Sequence, residues 1–282
     1  MPDGRAQCAG AAGPSHSENA MQLDRFKSSR FVGFVDPRFD CDDLRLLLEN
    51  PHGVGGYGGA ERIPTRPGRE VHRIEISAPR GACQVYTHLL VNSSLRETFR
   101  APQAYTVLRT GRLMLACGLP TSRVIAAVRP RHRPLNRTSF AVTLAIPDAV
   151  PLSSLEPDEF RGRMGGFKKL HLIRQIATQT AWMHAHGFYH KDLVAQNVLI
   201  QRRRSTPVIW FVGLGRAGVA RWLPPYVRQW RWASDLLALM RSDVKAINER
   251  DRVVFLETYL RALGPERGAG IVKSIILKKL GE

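Results

Sequence analysis

Hydrophobic and polar residues alternate in the first half of the chain with the period of two that is typical of β-strands. Residues 71–77 and 82–90 follow this pattern on either side of a Pro-Arg-Gly turn, which predicts a β-hairpin. Residues 122–128 and 139–146 show the same pattern and predict two further strands, the second of which ends at Pro147. We therefore expect the first half of the chain to be built around an antiparallel sheet.

Helical spacing of hydrophobic residues interrupts these strands once and then dominates after Pro147. Residues 102–118 begin with a proline, which suits the first turn of a helix, and end with a glycine. Residues 167–186 carry hydrophobic side chains at intervals of three and four, the pattern of a long amphipathic helix. The remaining predicted elements are two short strands and two helices, at residues 198–200, 208–212, 232–240 and 251–263.

The order of these elements predicts an α+β fold with two lobes. A strand-rich lobe is expected at residues 31–146 and a helical lobe at residues 147–282, after a disordered lead-in at residues 1–30 that is rich in Gly, Ala and Ser. The chain has 282 residues, 44% of them hydrophobic, which is enough for two cores. No segment approaches the about 20 apolar residues of a membrane-spanning helix or has the apolar run of a secretory signal. Met21 is an alternative start.

The charge of the chain favours an anionic partner. The formal net charge is +18, from 42 lysines and arginines against 24 acidic residues. Only eight of the basic residues are lysine, a bias that a GC-rich genome would also produce. Nucleic acid, an acidic lipid surface and a phosphorylated glycolipid all fit such an excess of positive charge. The densest basic runs, residues 129–133 and 202–204, are equally typical of solvated loops.

The cysteines indicate a reducing compartment. Cys8, Cys41, Cys83 and Cys117 are far apart and form no Cys-x-x-Cys pair. Without an export signal, we expect reduced thiols rather than a disulfide framework. The predicted localisation is therefore the cytoplasm, with peripheral contact at the inner membrane surface open to so basic a protein.

One short stretch carries a recognisable chemistry. His190-Lys191-Asp192, with Asn197 five residues after the aspartate, lies between the long predicted helix and a short apolar strand. This stretch resembles the catalytic loop of protein kinases, H-R-D-x-x-x-x-N, with Lys191 in the arginine position. An aspartate at the start of such a loop can accept the proton of an incoming hydroxyl group. An asparagine at its end can turn back to bind Mg²⁺ on the same nucleotide.

Further segments narrow the resemblance to the bacterial lipopolysaccharide kinase family, the Kdo and heptose kinases and their relatives. Residues 187–193, 85–88, 116–121 and 214–217 resemble motifs of that family and occur in its order. The likeness covers roughly residues 70–265. It implies a bilobal, protein-kinase-like fold that uses ATP and Mg²⁺ to phosphorylate a core sugar of lipopolysaccharide at the inner face of the cytoplasmic membrane.

The resemblance also implies roles for individual residues. Asp192 would be the catalytic base and Asn197 a Mg²⁺ ligand. The residues that would support the loop are His184, His190 and Asp235, the last of which would hold the loop backbone from a buried helix. The positions expected to contact the nucleotide are His88, Lys191 and Gly213.

Three groups of the kinase pattern are missing, however. The metal-binding aspartate should fall at Gly213, which has no side chain, and the phosphate-binding lysine should fall near His88. The acidic partner of that lysine should lie in the helix at residues 102–118, which contains no Asp or Glu. Because phosphoryl transfer depends on positioning and charge neutralisation, these losses should cost several orders of magnitude in rate. A pseudokinase that acts by binding a nucleotide or a partner is therefore the rival interpretation.

Other interpretations rest on weaker patterns. Residues 213–218 spell G-x-G-x-x-G after a strand, although Pro224-Pro225 should break the helix that a dinucleotide-binding fold needs next. A zinc site could use His184, His186, His190 and Asp192. The basic surface could bind nucleic acid, but charge alone carries no sequence specificity. The glycine-rich residues 52–59 could be a loop over phosphates or a linker.

Overall fold

A computed structural model of the chain describes residues 22–65, 69–91, 101–132, 138–157, 169–203 and 206–280. The first of its two lobes contains a seven-stranded sheet in the order β1-β2-β6-β7-β5-β4-β3, in which every neighbouring pair is antiparallel. The strands are β1 (Asp24–Lys27), β2 (Phe31–Val35), β3 (Glu61–Ile63), β4 (Arg69–Ala78), β5 (Gly81–Val91), β6 (Val124–Pro130) and β7 (Thr138–Leu144).

Two helices cover opposite faces of this sheet and divide its side chains between two cores. Helix α1 (Asp42–Glu49) packs with the side chains of Phe140 and Val142, whereas α2 (Gln103–Ala116) packs with Ala141 between them. The alternation follows from the period of two along a strand, which sends successive side chains to opposite faces. Because both faces are covered, β6 and β7 read as almost continuous hydrophobic runs.

The second lobe is mainly helical and continues the core that α2 begins. Its helices are α3 (Lys169–Ala185), α4 (Pro225–Met240), α5 (Glu249–Leu263) and α6 (Ala269–Leu280). Its strands are β8 (Ala149–Pro151), β9 (Phe188–Tyr189), β10 (Val198–Gln201), β11 (Val208–Phe211) and β12 (Gly218–Val219), which form a sheet β11-β10-β8 and a pair β12-β9. Within the described ranges, no helix is long and apolar enough to cross a membrane.

The two lobes are joined directly beside the loop that follows β11. The Thr121 hydroxyl donates to the Phe211 carbonyl at 2.6 Å, and the Phe211 N–H donates to the Pro120 carbonyl at 3.0 Å. Both Thr121 and Phe211 are buried. The end of β11 is therefore fixed to the chain that leaves α2, which sets the position of the residues between the lobes.

The predicted bilobal α+β fold is confirmed, as is the hairpin of β4 and β5. The prediction of a disordered lead-in is wrong for residues 24–27, since they form β1 and pair with β2; residues 1–21 lie outside the described part of the chain. The sheet therefore begins well before residue 31.

The helix predictions in the second lobe need one correction. As expected, no helix runs from residues 213–218 through Pro224-Pro225, but Pro225 is itself the first residue of α4, where a fixed φ and a missing N–H group cost nothing. The predicted helix at 232–240 thus starts seven residues late. Helices α1 and α6 were not predicted, because each is short and lies beside glycine-rich sequence.

The glycine-rich residues 52–59 lie between α1 and β3 rather than between two strands of a hairpin. Val54 within them is buried in the core beneath α1. Arg69, the first residue of β4, contacts the second lobe instead.

Candidate active site

The catalytic-loop motif is held in place by one buried carboxylate on α4. Asp235 is 1% exposed, and its two oxygens accept hydrogen bonds from the backbone N–H groups of His190 and Lys191, both at 2.6 Å. Lys191 has a φ of +61°, a left-handed conformation that is unusual for a residue other than glycine. Two charge-assisted hydrogen bonds are strong enough to hold the loop in this conformation.

Three buried aromatic side chains, His184, Trp232 and Tyr259, pack together beside Asp235. The His184 ring stacks on Trp232 with centroids 5.5 Å apart, and its Nδ1 lies 2.7 Å from the Tyr259 hydroxyl. The other ring nitrogen, Nε2, is 3.4 Å from Asp235, which is long for a hydrogen bond but close for electrostatic contact. Burial lowers the pKa of His184, and burial together with the charge of Asp235 raises the pKa of Tyr259 well above its usual value.

The hairpin of β10 and β11 brings the position of the missing metal ligand next to the loop. The strands pair from Val198 with Phe211 to Gln201 with Val208, as predicted. Val212 is bound from both sides: its N–H donates to the Asn197 carbonyl at 2.9 Å, and its carbonyl accepts from His190 Nε2 at 2.8 Å. Gly213, the next residue, is thereby fixed beside Asn197.

Asp192 and Asn197 form the centre of the candidate site. The Asn197 amide nitrogen donates to the Asp192 backbone carbonyl at 2.7 Å, which leaves the amide oxygen directed towards Gly213. A Cβ atom added to Gly213 would lie 2.6 Å from that oxygen. Asp192 itself is buried, at 6% exposure, with its carboxylate at the boundary between the lobes.

Arg69 reaches this centre from the first lobe, and its position was not predicted. It is the first residue of β4, and its Nη1 lies 3.4 Å from Asp192 Oδ2 across the cleft, although 123 residues separate the two. Its Nη2 lies 3.4 Å from the point that a Cβ on Gly215 would occupy, and Gln103 Oε1 of α2 lies 3.7 Å from the same point. The hairpin register was a signal that could have placed Arg69 on the cleft face.

His88 lies close to the position expected for the family's lysine, but it carries no charge. Its Nε2 is 3.0 Å from the Thr143 hydroxyl, and the ring is largely buried. Burial and, second, the positive charge of Arg69 lower the pKa of His88 to about 4. A neutral ring can contribute one hydrogen bond to a ligand but no charge, so the role of His88 as a nucleotide contact stays a prediction.

The Lys191 side chain packs against an aromatic ring of the second lobe. Its Nζ lies 5.2 Å from the centre of the Tyr189 ring, and the guanidinium of Arg231 on α4 lies 5.6 Å from the same ring. Arg231 also lies 5.5 Å from the Trp230 ring. These contacts form a row of cations and aromatic rings between the catalytic loop and the surface of α4. The role of Lys191 as a nucleotide contact stays a prediction.

The donors around Asn197 suit a phosphate group better than they suit Mg²⁺. Mg²⁺ prefers carboxylate and phosphate oxygens in octahedral geometry, whereas Gly213 contributes no side-chain oxygen and Asn197 only a neutral amide. No group of three His, Cys, Asp or Glu side chains that could hold a metal ion occurs among the residues that the structure describes. The guanidinium of Arg69 is, by contrast, a strong phosphate donor.

The fold and site define a protein-kinase-like protein with an incomplete set of catalytic groups, and comparison with known proteins gives its family. Residues 84–259 match the model of the lipopolysaccharide kinase (Kdo/WaaP) family. The match covers more than half of the chain, which therefore belongs to this family. The family assignment made from the catalytic-loop motif is thus confirmed.

Individual relatives are more distant. The fold is similar to that of a solved structure described as WaaP in complex with acyl carrier protein, with a TM-score of 0.57 and 22% sequence identity over 85% of this chain and 96% of the other. A putative cyclin-dependent kinase F-2 from Oryza sativa subsp. japonica is 31% identical over 139 residues, which are 46% of this chain. The matched segment spans only 41% of that curated relative.

Two alternative interpretations do not agree with the structure. The G-x-G-x-x-G of residues 213–218 follows a strand of a small antiparallel sheet, contains a short 3-10 turn and leads into β12, whereas a dinucleotide-binding motif needs a parallel sheet and a helix. The histidines of the supposed zinc site are turned to other partners: His184 to Tyr259, His190 to Val212 and His186 to Trp182.

We predict that acidification destabilises the fold through its buried histidines. The pKa values of His88, His184 and His190 are lowered, mainly by burial. In the unfolded chain a histidine has a pKa of about 6.5, so below that pH the unfolded chain binds more protons than the folded chain. The free energy of unfolding should be constant above about pH 7 and fall below about pH 6.5, by at most about 1.4 kcal/mol per pH unit for each histidine.

Urea unfolding at pH 7.5, 6.5 and 5.5 measures this slope. His88→Gln should reduce it, with His52→Gln on an exposed surface as the control for the substitution itself. Equal free energies of unfolding at pH 7.5 and 5.5 would contradict the expectation.

We further predict that Gly213→Asp makes nucleotide binding depend on Mg²⁺. The carboxylate would stand beside the Asn197 amide oxygen and complete a metal site. The substitution also carries strain, because Gly213 has a φ of +75° and the new Cβ must displace the Asn197 side chain. Aspartate and asparagine tolerate a left-handed backbone better than most residues. Gly213→Asp and its neutral counterpart Gly213→Asn should therefore both fold, with a stability loss of about 1–2 kcal/mol.

Calorimetric titration of ADP with Mg²⁺ and with chelator, on the parent, Gly213→Asp and Gly213→Asn, separates charge from shape. Tighter binding with Mg²⁺ should occur only in the aspartate variant. Equal affinities for a folded Gly213→Asp in both buffers would mean that this position is not the vacated metal site.

Proposed function

We propose that this chain binds a nucleotide between its lobes and a sugar of the lipopolysaccharide core type beside Asp192, and that it transfers phosphate far more slowly than a kinase with a complete site. The observation that carries this proposal is Gly213, a left-handed glycine packed against the Asn197 amide, where a metal-binding carboxylate would stand. The family gives the proposal its ligand classes, ATP and an anionic glycolipid.

The scaffold of the catalytic loop supports binding. The backbone of the loop is held by Asp235, the Asn197 amide is fixed, and Asp192 lies between the lobes. These contacts need neither the lysine nor the metal ligand, so the shape of the cleft is maintained although its chemistry is incomplete. A cleft retained in this way is suited to recognition more than to turnover, since transfer requires neutralisation of charge that develops on the phosphoryl group.

The acceptor side supports an anionic glycolipid. The row of Lys191, Tyr189, Arg231 and Trp230 leads from the loop to α4, where Tyr226 lies one helical turn before Trp230. Trp222 is 90% exposed and Tyr226 is 64% exposed. Amphipathic aromatic side chains next to arginines are typical of surfaces that contact the head-group region of a membrane. We therefore place the glycolipid, and with it peripheral membrane contact, on this face.

An active lipopolysaccharide-core kinase is the second candidate, because Asp192 and Asn197 keep the relative positions that such an enzyme needs. Transfer from labelled ATP to purified lipopolysaccharide core decides between the two. We expect nucleotide binding by calorimetry but a transfer rate within about tenfold of the Asp192→Asn variant, whereas loss of a working general base costs about 10²–10⁴-fold. A large Asp192-dependent rate would establish the active kinase instead.

The glycolipid surface has its own prediction. Sedimentation with phosphatidylcholine vesicles that contain lipopolysaccharide should recover the parent chain, and Trp222→Ala/Tyr226→Ala should bind about tenfold less because two amphipathic anchors are lost. Trp182→Ala provides a matched control, since Trp182 is also exposed but lies on α3 beside His186. Equal recovery of the double variant, or equal loss in the control, would contradict the assignment of this face.

A further inference from the structure

The charge that the family places on the β5 strand is supplied here from the neighbouring strand. In the hairpin register, Val71 of β4 is opposite His88 of β5, and Arg69 is opposite Leu90. Because side chains two residues apart share a face, Arg69 and His88 lie on the same side of the sheet. The effect of Arg69 on the pKa of His88 agrees with this proximity.

The guanidinium of Arg69 stands where phosphate groups would be bound. It contacts Asp192 at 3.4 Å and lies beside the turn of residues 213–215, which follows the strand end fixed by His190. Its side chain is 22% exposed, so the group is partly desolvated but open to a ligand. Gln103, on the helix that would carry the acidic partner of a lysine, lies next to it.

We propose that Arg69 is the phosphate-binding cation of the cleft and that it holds the phosphates of a nucleoside diphosphate or triphosphate without a divalent metal ion. The inference rests on the proposed nucleotide binding and specifies its chemistry. A planar guanidinium presents paired donors that match two phosphate oxygens.

The absence of a side chain at Gly213 makes the metal dispensable. A carboxylate beside the phosphates would repel them unless a cation lay between the two. At Gly213 no such charge exists, so a phosphate can approach the turn with Arg69 as its counter-ion. The loss of the lysine, of its acidic partner and of the metal carboxylate is therefore one coherent change rather than three independent ones.

The same contact could instead be a latch, in which Arg69 neutralises Asp192 and blocks the cleft. The two roles predict opposite changes in nucleotide affinity when Arg69 is substituted. If Arg69 binds phosphate, its removal weakens nucleotide binding; if Arg69 is a latch, its removal strengthens nucleotide binding. The geometry favours the ligand role, because a distance of 3.4 Å to Asp192 is long for a bridge whose function is to hold the cleft closed.

Calorimetric titration of ADP into the full chain, with Mg²⁺ and with chelator, tests the proposal. We expect parent affinities in the two buffers to agree within about twofold, and Arg69→Gln to bind at least about tenfold more weakly in both, as expected for a lost charge-assisted hydrogen bond. The ADP affinity of Arg69→Lys should lie between those of the parent and Arg69→Gln, because lysine keeps the charge and loses the paired donors. Inorganic tripolyphosphate should compete with ADP on the parent.

Arg73→Gln is the matched control. Arg73 lies on the same strand and the same face of the sheet four residues further along, makes the same change of charge when substituted, and is an exposed residue paired with Glu61. Unchanged or tighter binding by Arg69→Gln or Arg69→Lys, or parent binding that requires Mg²⁺, overturns the assignment of Arg69. Failure of the parent to bind ADP in either buffer overturns the proposed function as well, so the two failures are distinguishable.

Discussion

The structure of the site depends on one buried carboxylate. Asp235 accepts two backbone hydrogen bonds from a loop whose lysine is held in a left-handed conformation. A buried carboxylate needs donors, and a strained loop needs restraint, so each satisfies the requirement of the other. Asp192 directly follows the restrained Lys191, the Asn197 amide donates to the Asp192 carbonyl, and the Val212 N–H donates to the Asn197 carbonyl. The positions of Asp192, of Asn197 and of the turn that follows Val212 therefore depend on the contact between Asp235 and the loop.

The electrostatics of the cleft differ from those of a complete kinase in a consistent direction. The positive group beside Asp192 is Arg69 on β4, whereas the kinase pattern expects a lysine on β5, and the acidic groups expected at Gly213 and along α2 are absent. Burial lowers the pKa of His88, the residue on β5, to about 4. Such a cleft has fewer negative charges to hold a metal ion, and the proposed role of Arg69 gives it a cation for phosphate. Binding and catalysis respond differently to such a change, because catalysis needs charge placed where the transition state develops it.

Asp192 lies between two differently built surfaces. On the first-lobe side it contacts Arg69, and both side chains are partly desolvated. On the other side, the preceding residue in the loop, Lys191, begins the row of cations and rings that ends at the exposed Trp230 of α4. A small anionic ligand suits the first surface and a large amphipathic one suits the second, which corresponds to a nucleotide and a glycolipid.

The sequence by itself determined the class of fold and the centre of the site. Strand and helix periods, together with the spacing of Asp192 and Asn197, are local properties, and the catalytic loop is a contiguous segment. Local patterns failed at the start of α4, which begins at Pro225 rather than at residue 232, and at residues 24–27, whose strand exists only because β2 pairs with it. Tertiary structure alone decided the contact of Arg69 with Asp192, because the packing of two lobes brings together side chains that lie 123 residues apart. It also decided the left-handed backbone of Gly213, since that conformation results from hydrogen bonds that hold Val212 on both sides.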